Sequence, residues 1–303
     1  MLVAAVRDSA RCRRVERTTW LHRAGWIGWA VIRIGAQVSL SAIDVRTLAA
    51  VLPALARRWR GLRFEQGVYV SATGQRREGL RIEQGSHPRP GTRYLLMFDP
   101  AHSSEPQDEG VGDEPVPAKT LVELLADDIH RIRIRVRRVG GPDVVEAELR
   151  RPYRPEGITV DVAGTVPGGW PAGGPFAVEA GIAVDQMPPT QSRGPQLVVE
   201  ARHGRAQGRA DVAIREADAG FWTVDVAIRA RGRGVARPMV AILTPFLRRY
   251  AQRGLDAFIG RLPEEIDQFN QELREEFGPS PDPEQVADKV LNDLLAGVAE
   301  YVA

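Results

Sequence analysis

Leu255, Ile259, Leu262, Ile266, Phe269 and Leu273 recur at alternating four- and three-residue steps. That spacing aligns them on one stripe of a helix, while Arg261, Glu264, Glu265, Asp267, Gln268, Glu272 and Arg274 take most of the remaining positions. A helix over 238–277 therefore buries one face and wets the other, and the rest of the chain must supply what the apolar face rests on. The beat extends back through Val240, Leu243, Leu247 and Tyr250, interrupted by Pro245, Gly254, Gly260 and Pro263. Proline removes a backbone donor and crowds the preceding turn, so a kink near Pro263 or a break into two segments is expected.

A chain of 303 residues, 43% hydrophobic and 26% charged, can bury a large core as one big domain or two ordinary ones. Its formal net charge of +2 creates no global field that would draw nucleic acid or an anionic membrane, so neither is expected as a partner. The lone Cys12 has no internal disulfide partner, which fits a reducing, cytoplasmic location. Arginines from Arg7 to Arg23 precede an apolar run from Gly25 to Ala42, the order of an export signal or anchor. Arg33 sits in the middle of that run, where a bilayer would charge about 3 kcal/mol for it. Arg33, Gly35 and Gln37 also interleave with Ile32, Ile34 and Val38, so the run reads as a buried strand rather than a membrane anchor.

Asp44 is placed to cap a helix through Leu48, Val51, Leu52, Leu55 and Trp59, with Arg57, Arg58 and Arg60 at the negative end of its dipole. Three strands follow, Phe64 to Ala72, Gly79 to Gln84 and Thr92 to Phe98, as an antiparallel meander. From Asp99 to Ala118 the composition turns to Pro, Gly, Ser and acidic residues without apolar period, which marks a linker. Leu121, Leu124 and Leu125 then suggest a short helix over 119–128.

Arg131, Arg133, Arg135 and Arg137 alternate with Ile132, Ile134 and Val136, a strand with one apolar and one basic face. Gly140-Gly141-Pro142-Asp143 makes a turn, and the returning strand carries Glu146 and Glu148. A hairpin centred on that turn sets Arg137 near Glu146 and Arg135 near Glu148, so internal charge pairing is expected rather than a polyanion site. Alternating strands continue through Ile158–Val166, Phe176–Val184, Leu197–Ala201, Ala210–Arg215 and Trp222–Ile228. The Gly-rich loop around Trp170 separates the first two.

A sheet with that many strands must curl or close, and the long helix is the large apolar surface left to fill its concave side. The segment Gly220-Phe221-Trp222-Thr223-Val224-Asp225-Val226, then Arg231-Gly232-Arg233-Gly234, then Arg237-Pro238 and the helix, resembles the last strand and helix entry of the START-like (SRPBCC, helix-grip) superfamily, in its polyketide cyclase and lipid-transport branch. The resemblance covers about 119–277. It implies an α+β fold in which a curved antiparallel sheet wraps a long C-terminal amphipathic helix, here preceded by a smaller α/β half. The chain then divides into an N-terminal α/β region, 1–98, a linker, 99–118, the helix-grip-like domain, 119–277, and a C-terminal amphipathic helix, 278–303. The resemblance also implies an apolar cavity lined by Trp222, Val224, Val226, Leu243, Phe246, Leu247 and Tyr250, although the same residues would equally serve a filled core.

Catalytic signals are sparse. His22, His87, His102, His130 and His203 are scattered without zinc spacing, and no nucleophile elbow or P-loop occurs, so neither a metal nor another cofactor is expected. Asp127, Asp128 and His130 read as a polar cap. The last helix, through Val286, Val290, Leu294, Leu295 and Val298, is suited to dock on its own domain, on a second copy or on a protein partner. The leading expectation is a carrier for a hydrophobic small molecule or lipid. Two others stay open: a solid-core interaction module acting through the last helix or the arginine hairpin, and a cyclase- or dehydratase-like enzyme, which would need Asp161 or Asp225 in the cavity.

Overall fold

The computed structural model describes residues 31–42, 45–71, 74–98, 118–166, 173–187, 194–217, 220–233, 237–278 and 280–296. In chain order the elements are β1 (Val31–Ser41), α1 (Val45–Arg60), β2 (Arg63–Glu65), β3 (Val68–Val70), β4 (Arg76–Gln84), β5 (Arg93–Phe98), β6 (Ala118–Asp127), β7 (Arg131–Arg138), β8 (Val144–Arg150), β9 (Gly157–Val166), β10 (Gly174–Ala183), β11 (Leu197–His203), β12 (Ala206–Glu216), β13 (Phe221–Gly232), α2 (Arg237–Phe277) and α3 (Pro283–Ala296). The strands form a 13-stranded antiparallel sheet in the order β1-β13-β12-β11-β10-β9-β8-β7-β6-β5-β4-β3-β2, with β1 and β2 at its edges. The fold is therefore α+β, with an antiparallel sheet and a long C-terminal helix. The strand expected around Arg33 is β1.

Two compact units divide the chain. The first draws on Met1–Asp44, Ala180–Ile182 and Gln186–Glu276, and so holds β1, β11, β12, β13 and α2. Its core is the answer to what the helical stripe rests on. Leu255 and Ile259 of α2 pack with Ile32, Ile34 and Ala36 of β1, and Val226, Ile228 and Ala230 of β13 close around them. β1 and β13 pair from Val31↔Arg231 to Ser41↔Phe221. Gln252 donates to the Gly35 carbonyl at 3.2 Å, Ser41 donates to Asp267, and Asn270 reaches the Ala42 carbonyl at 3.5 Å. These three contacts lay α2 along β1. The helix runs unbroken through Pro245 and Pro263, so the anticipated break into two segments does not occur.

The second unit, Val45–Glu179, Ala183–Asp185 and Phe277–Ala303, holds α1, β2 to β9 and α3. Tyr69, Leu80, Tyr94, Leu96 and Leu124 form a core with Leu291 and Leu295 of α3, and Leu55 and Trp59 of α1 pack against it. Val51 and Ala54 meet Val286 and Ala287 where the two helices touch. Arg58 bridges Asp288 at 2.6 Å and Arg57 pairs with Glu284. The last helix thus docks on its own chain.

Three local expectations are corrected here. Residues 119–128 are not a helix: 119–127 lie in β6, hydrogen-bonded between β5 and β7, and Asp128 begins the turn that follows. Leu121 stands opposite Leu95 on one face, while Val122 opposite Tyr94 and Leu124 opposite Ile134 serve the other. A register shift between Leu124 and Ala126 accommodates Leu125, and this irregularity gives the leucines a spacing that imitates a helical stripe. The strand expected over 64–72 is two strands joined at Gln66 (φ 52°) and Gly67 (φ 82°), a turn with both central residues left-handed, which matches the twist of a tight hairpin. The β7–β8 hairpin pairs Arg135↔Glu146 and Arg133↔Glu148 rather than the expected partners, because it is centred one residue earlier, which moves every cross-strand pair by two. The expected linker, 99–118, lies outside the described residues apart from Ala118. β5 and β6, on either side of it, pair directly. The Gly-rich loop around Trp170 is also outside them.

Candidate functional site

In an antiparallel ladder, residues directly opposite one another share a face. In the first unit this gives one apolar face, built from rows such as Val38–Val224–Ile214, Ala36–Val226–Val212–Leu197 and Ile34–Ile228–Ala210–Val199. Trp222 and Val224 are buried and Val226 is partly buried on this face. Among the described residues, the core shared with α2 takes its sheet residues from β1 and β13 and none from β11 or β12. Leu197, Val199, Ala210, Val212 and Ile214 keep partial exposure.

The sequence-predicted lining residues separate. Trp222, Val224 and Val226 stand together on the apolar face. Phe246 and Tyr250 are 75% and 80% exposed and lie on the side of α2 away from Leu255 and Ile259, so the structure does not bring them to that face. The side chains of Leu243 and Leu247 lie outside the described residues. Asp225 points to the opposite, polar face, where it accepts from Gln37 Nε2 at 2.8 Å and pairs with Arg215. In the second unit Asp161 is exposed and stands opposite Glu146.

Three arginines of the β7–β8 hairpin are paired with carboxylates of β8 and β6. Arg135 reaches Glu146 at 2.7 Å and Glu123 at 3.3 Å, Arg133 also pairs with Glu146, and Arg131 lies 3.9 Å from Glu148. Hydrogen bonds from Arg135 and then Arg133 hold the Glu146 carboxyl below its ordinary pKa. Asp128 accepts from the backbone N–H groups of Arg131 at 2.9 Å and His130 at 2.7 Å, which lowers its pKa and makes it the cap of the β6–β7 turn.

Nothing in the sequence pointed to the surroundings of one half-buried polar group, His87. His87 sits among Trp59, Phe64 and Tyr94, with ring centroids 5.7, 4.9 and 5.8 Å away, and its Nδ1 lies 2.8 Å from the Tyr94 hydroxyl. Burial pushes the His87 pKa down and drives the Tyr94 hydroxyl up to about 12. The pair packs as an aromatic core with both groups neutral. No group of three or more His, Cys, Asp or Glu able to hold a metal occurs among the described residues, and no described helix is long and apolar enough to cross a membrane.

No protein-family model and no curated protein sequence matches the chain. Among solved structures it is similar to a norcoclaurine synthase of Thalictrum flavum, at 11% identity over 80% of this chain and 99% of that one, with a TM-score of 0.22. It is also similar to the di-domain ARO/CYC StfQ from the steffimycin biosynthetic pathway, at 9% identity over 79% and 99% of the two chains, with a TM-score of 0.25. DynU16 from the dynemicin biosynthetic locus follows at 11% identity, 77% and 96% coverage and a TM-score of 0.16. Likeness at this level assigns neither ancestry nor activity, and the functional reading rests on the residues of this chain.

Proposed function

We propose that the chain binds a hydrophobic small molecule or lipid on the apolar face of its first unit and carries it without changing it chemically. The observation that supports this reading is the mismatch, among the described residues, between an apolar face spread over β1, β13, β12 and β11 and a helical core that draws on β1 and β13. Partly exposed Leu197, Val199, Val212 and Ile214 offer the kind of surface that an apolar ligand would cover. The polar-face position of Asp225 favours carriage over the cyclase or dehydratase reading, since that carboxylate is turned away from where the ligand would lie.

Native mass spectrometry and organic extraction of gently purified protein test the proposal, comparing the wild type with Val212→Glu on the apolar face and Ala213→Glu on the polar face. The expected result is a stoichiometric apolar compound in the wild type and in Ala213→Glu that is lost from Val212→Glu. Retention in all three, or empty extracts from the wild type, would sink it.

A further inference from the structure

On the polar face of the first unit, three arginines stand in one row. Arg229 of β13 is directly opposite Arg33 of β1 on one side and Arg209 of β12 on the other. Neighbouring strands are only about 4.8 Å apart. In the adjacent row on the same face, Arg231 is opposite Gln207, and Gln207 is opposite Arg202. These side chains line a surface depression of about 290 Å³, in which Glu200 is the only acidic lining residue among those described.

Like charges directly opposite one another destabilise a sheet. On the β7–β8 hairpin most such positions are offset by carboxylates, with Arg135 opposite Glu146 and Arg133 opposite Glu148, although Arg131 stands opposite Arg150. In the depression, compensation is incomplete. Arg209 pairs with Asp211 at 2.7 Å and with Glu200 at 3.0 Å, and Arg202 pairs with Glu200 at 3.0 Å. Arg231 is held by a neutral partner, the Gln207 amide oxygen, which accepts from Nε and Nη2 at 2.7 Å once it faces them. The side chains of Arg33 and Arg229 have neither a hydrogen bond nor an ion pair among the described residues.

We propose that this depression binds a phosphate-bearing ligand whose anionic oxygens are taken by Arg33, Arg229 and Arg231. Guanidinium groups present planar forks that match phosphate oxygens, and a bound anion would relieve the repulsion that the row otherwise carries. The two rows are roughly 7 Å apart along the strands, which suits a group of diphosphate size better than a single small anion. The same chemistry arises in a soluble diphosphate and in a lipid headgroup. Since the arginines and the apolar residues point to opposite faces, this site is independent of the carrier reading.

Isothermal titration of the full chain with inorganic pyrophosphate at fixed ionic strength is expected to show saturable binding. It should weaken about tenfold or more in Arg33→Gln and in Arg229→Gln, the size of one charge-assisted contact, and stay unchanged in Arg248→Gln, an exposed position on α2. Flotation with phosphatidylcholine vesicles, with and without phosphatidic acid, separates the sources. Pyrophosphate binding without flotation assigns a soluble ligand, and flotation lost in the Arg33→Gln/Arg229→Gln double variant assigns a headgroup; either supports the proposal. Absence of both, or losses equal to that in Arg248→Gln, overturns it. Without anion, Arg229→Gln should melt no lower than the wild type. A clear drop would make Arg229 a structural residue and overturn the proposal as well.

Discussion

Arg60, the last residue of α1, donates from Nε to both carboxylate oxygens of Asp127 at the end of β6, at 2.9 and 3.1 Å, and its Nη2 donates to the same group. The Asp127 side chain is only 5% exposed and that of Arg60 20%. This bidentate pair fastens α1 to the sheet of the second unit, and the Tyr153 ring, 5.2 Å from the guanidinium carbon, covers it on one side. Removing one member of a buried pair leaves the other charged and unpaired, which typically costs about 3 kcal/mol. Asp127→Ala should therefore lower the urea midpoint markedly, and raised salt should do little to the wild-type pair because solvent barely reaches it. A loss comparable to that of an exposed substitution would place the anchoring of α1 elsewhere.

His87 gives the second unit a stability that depends on pH. Burial is the largest influence on its pKa and lowers it, against weaker support for the charged form from the backbone at Trp59 and Arg60. Where pH lies between the lowered folded pKa and the ordinary value near 6.5, the unfolded chain binds a proton that the folded chain does not. Stability contributed by neutral His87 is thus complete above about pH 6.5 and is lost as pH falls towards the folded pKa. Denaturant titrations at several pH values should show His87→Gln with a flatter acid limb than the wild type. Parallel limbs would remove His87 as the cause.

Glu146 works in the opposite sense. Its depressed pKa means that the stability it contributes is present above the unfolded value near 4.3 and is lost as pH falls through the folded one. Its arginine partners are 40% exposed, so solvent screens the ladder and Glu146→Gln should cost under about 1 kcal/mol at pH 7, and less in high salt. Below the folded pKa of Glu146 the variant and the wild type should converge. A salt-independent loss would mean that the carboxylate has a role in packing.

Much of this architecture was legible where a single element carries its own signal. The stripe of Leu255 and Ile259, the alternation around Arg33 and the arginine-isoleucine period of β7 each appear as the elements they predict. The β6 reading failed because an irregular strand changes the spacing of Leu121, Leu124 and Leu125, and a sequence pattern cannot distinguish that from a helical turn. The hairpin centre lies one residue earlier than expected, at a turn with two adjacent glycines, either of which can take the bend. Least legible was the pairing of β1 with β13: Gln37 and Asp225 are 188 residues apart, and no local period announces that they meet. For the same reason the arginine row stayed hidden, since Arg33 joins Arg229 and Arg209 only through that pairing.

The two sides of α2 make the last prediction. Ile259 is 2% exposed and packs in the core with Ile32, Ile34 and Ala36, whereas Phe246 and Tyr250 face away from that core. Truncating a buried isoleucine removes its burial and leaves a cavity, so Ile259→Ala should cost about 2–5 kcal/mol. Phe246→Ser and Tyr250→Ser should stay within about 0.5 kcal/mol of the wild type, since nothing in the core depends on them. Measured together by denaturation and by ligand extraction, the three variants separate fold from binding. A ligand that survives Phe246→Ser and Tyr250→Ser lies on the sheet. A ligand lost from these stable variants would be held by the outer side of the helix, and the apolar face of β11 and β12 would not be its seat.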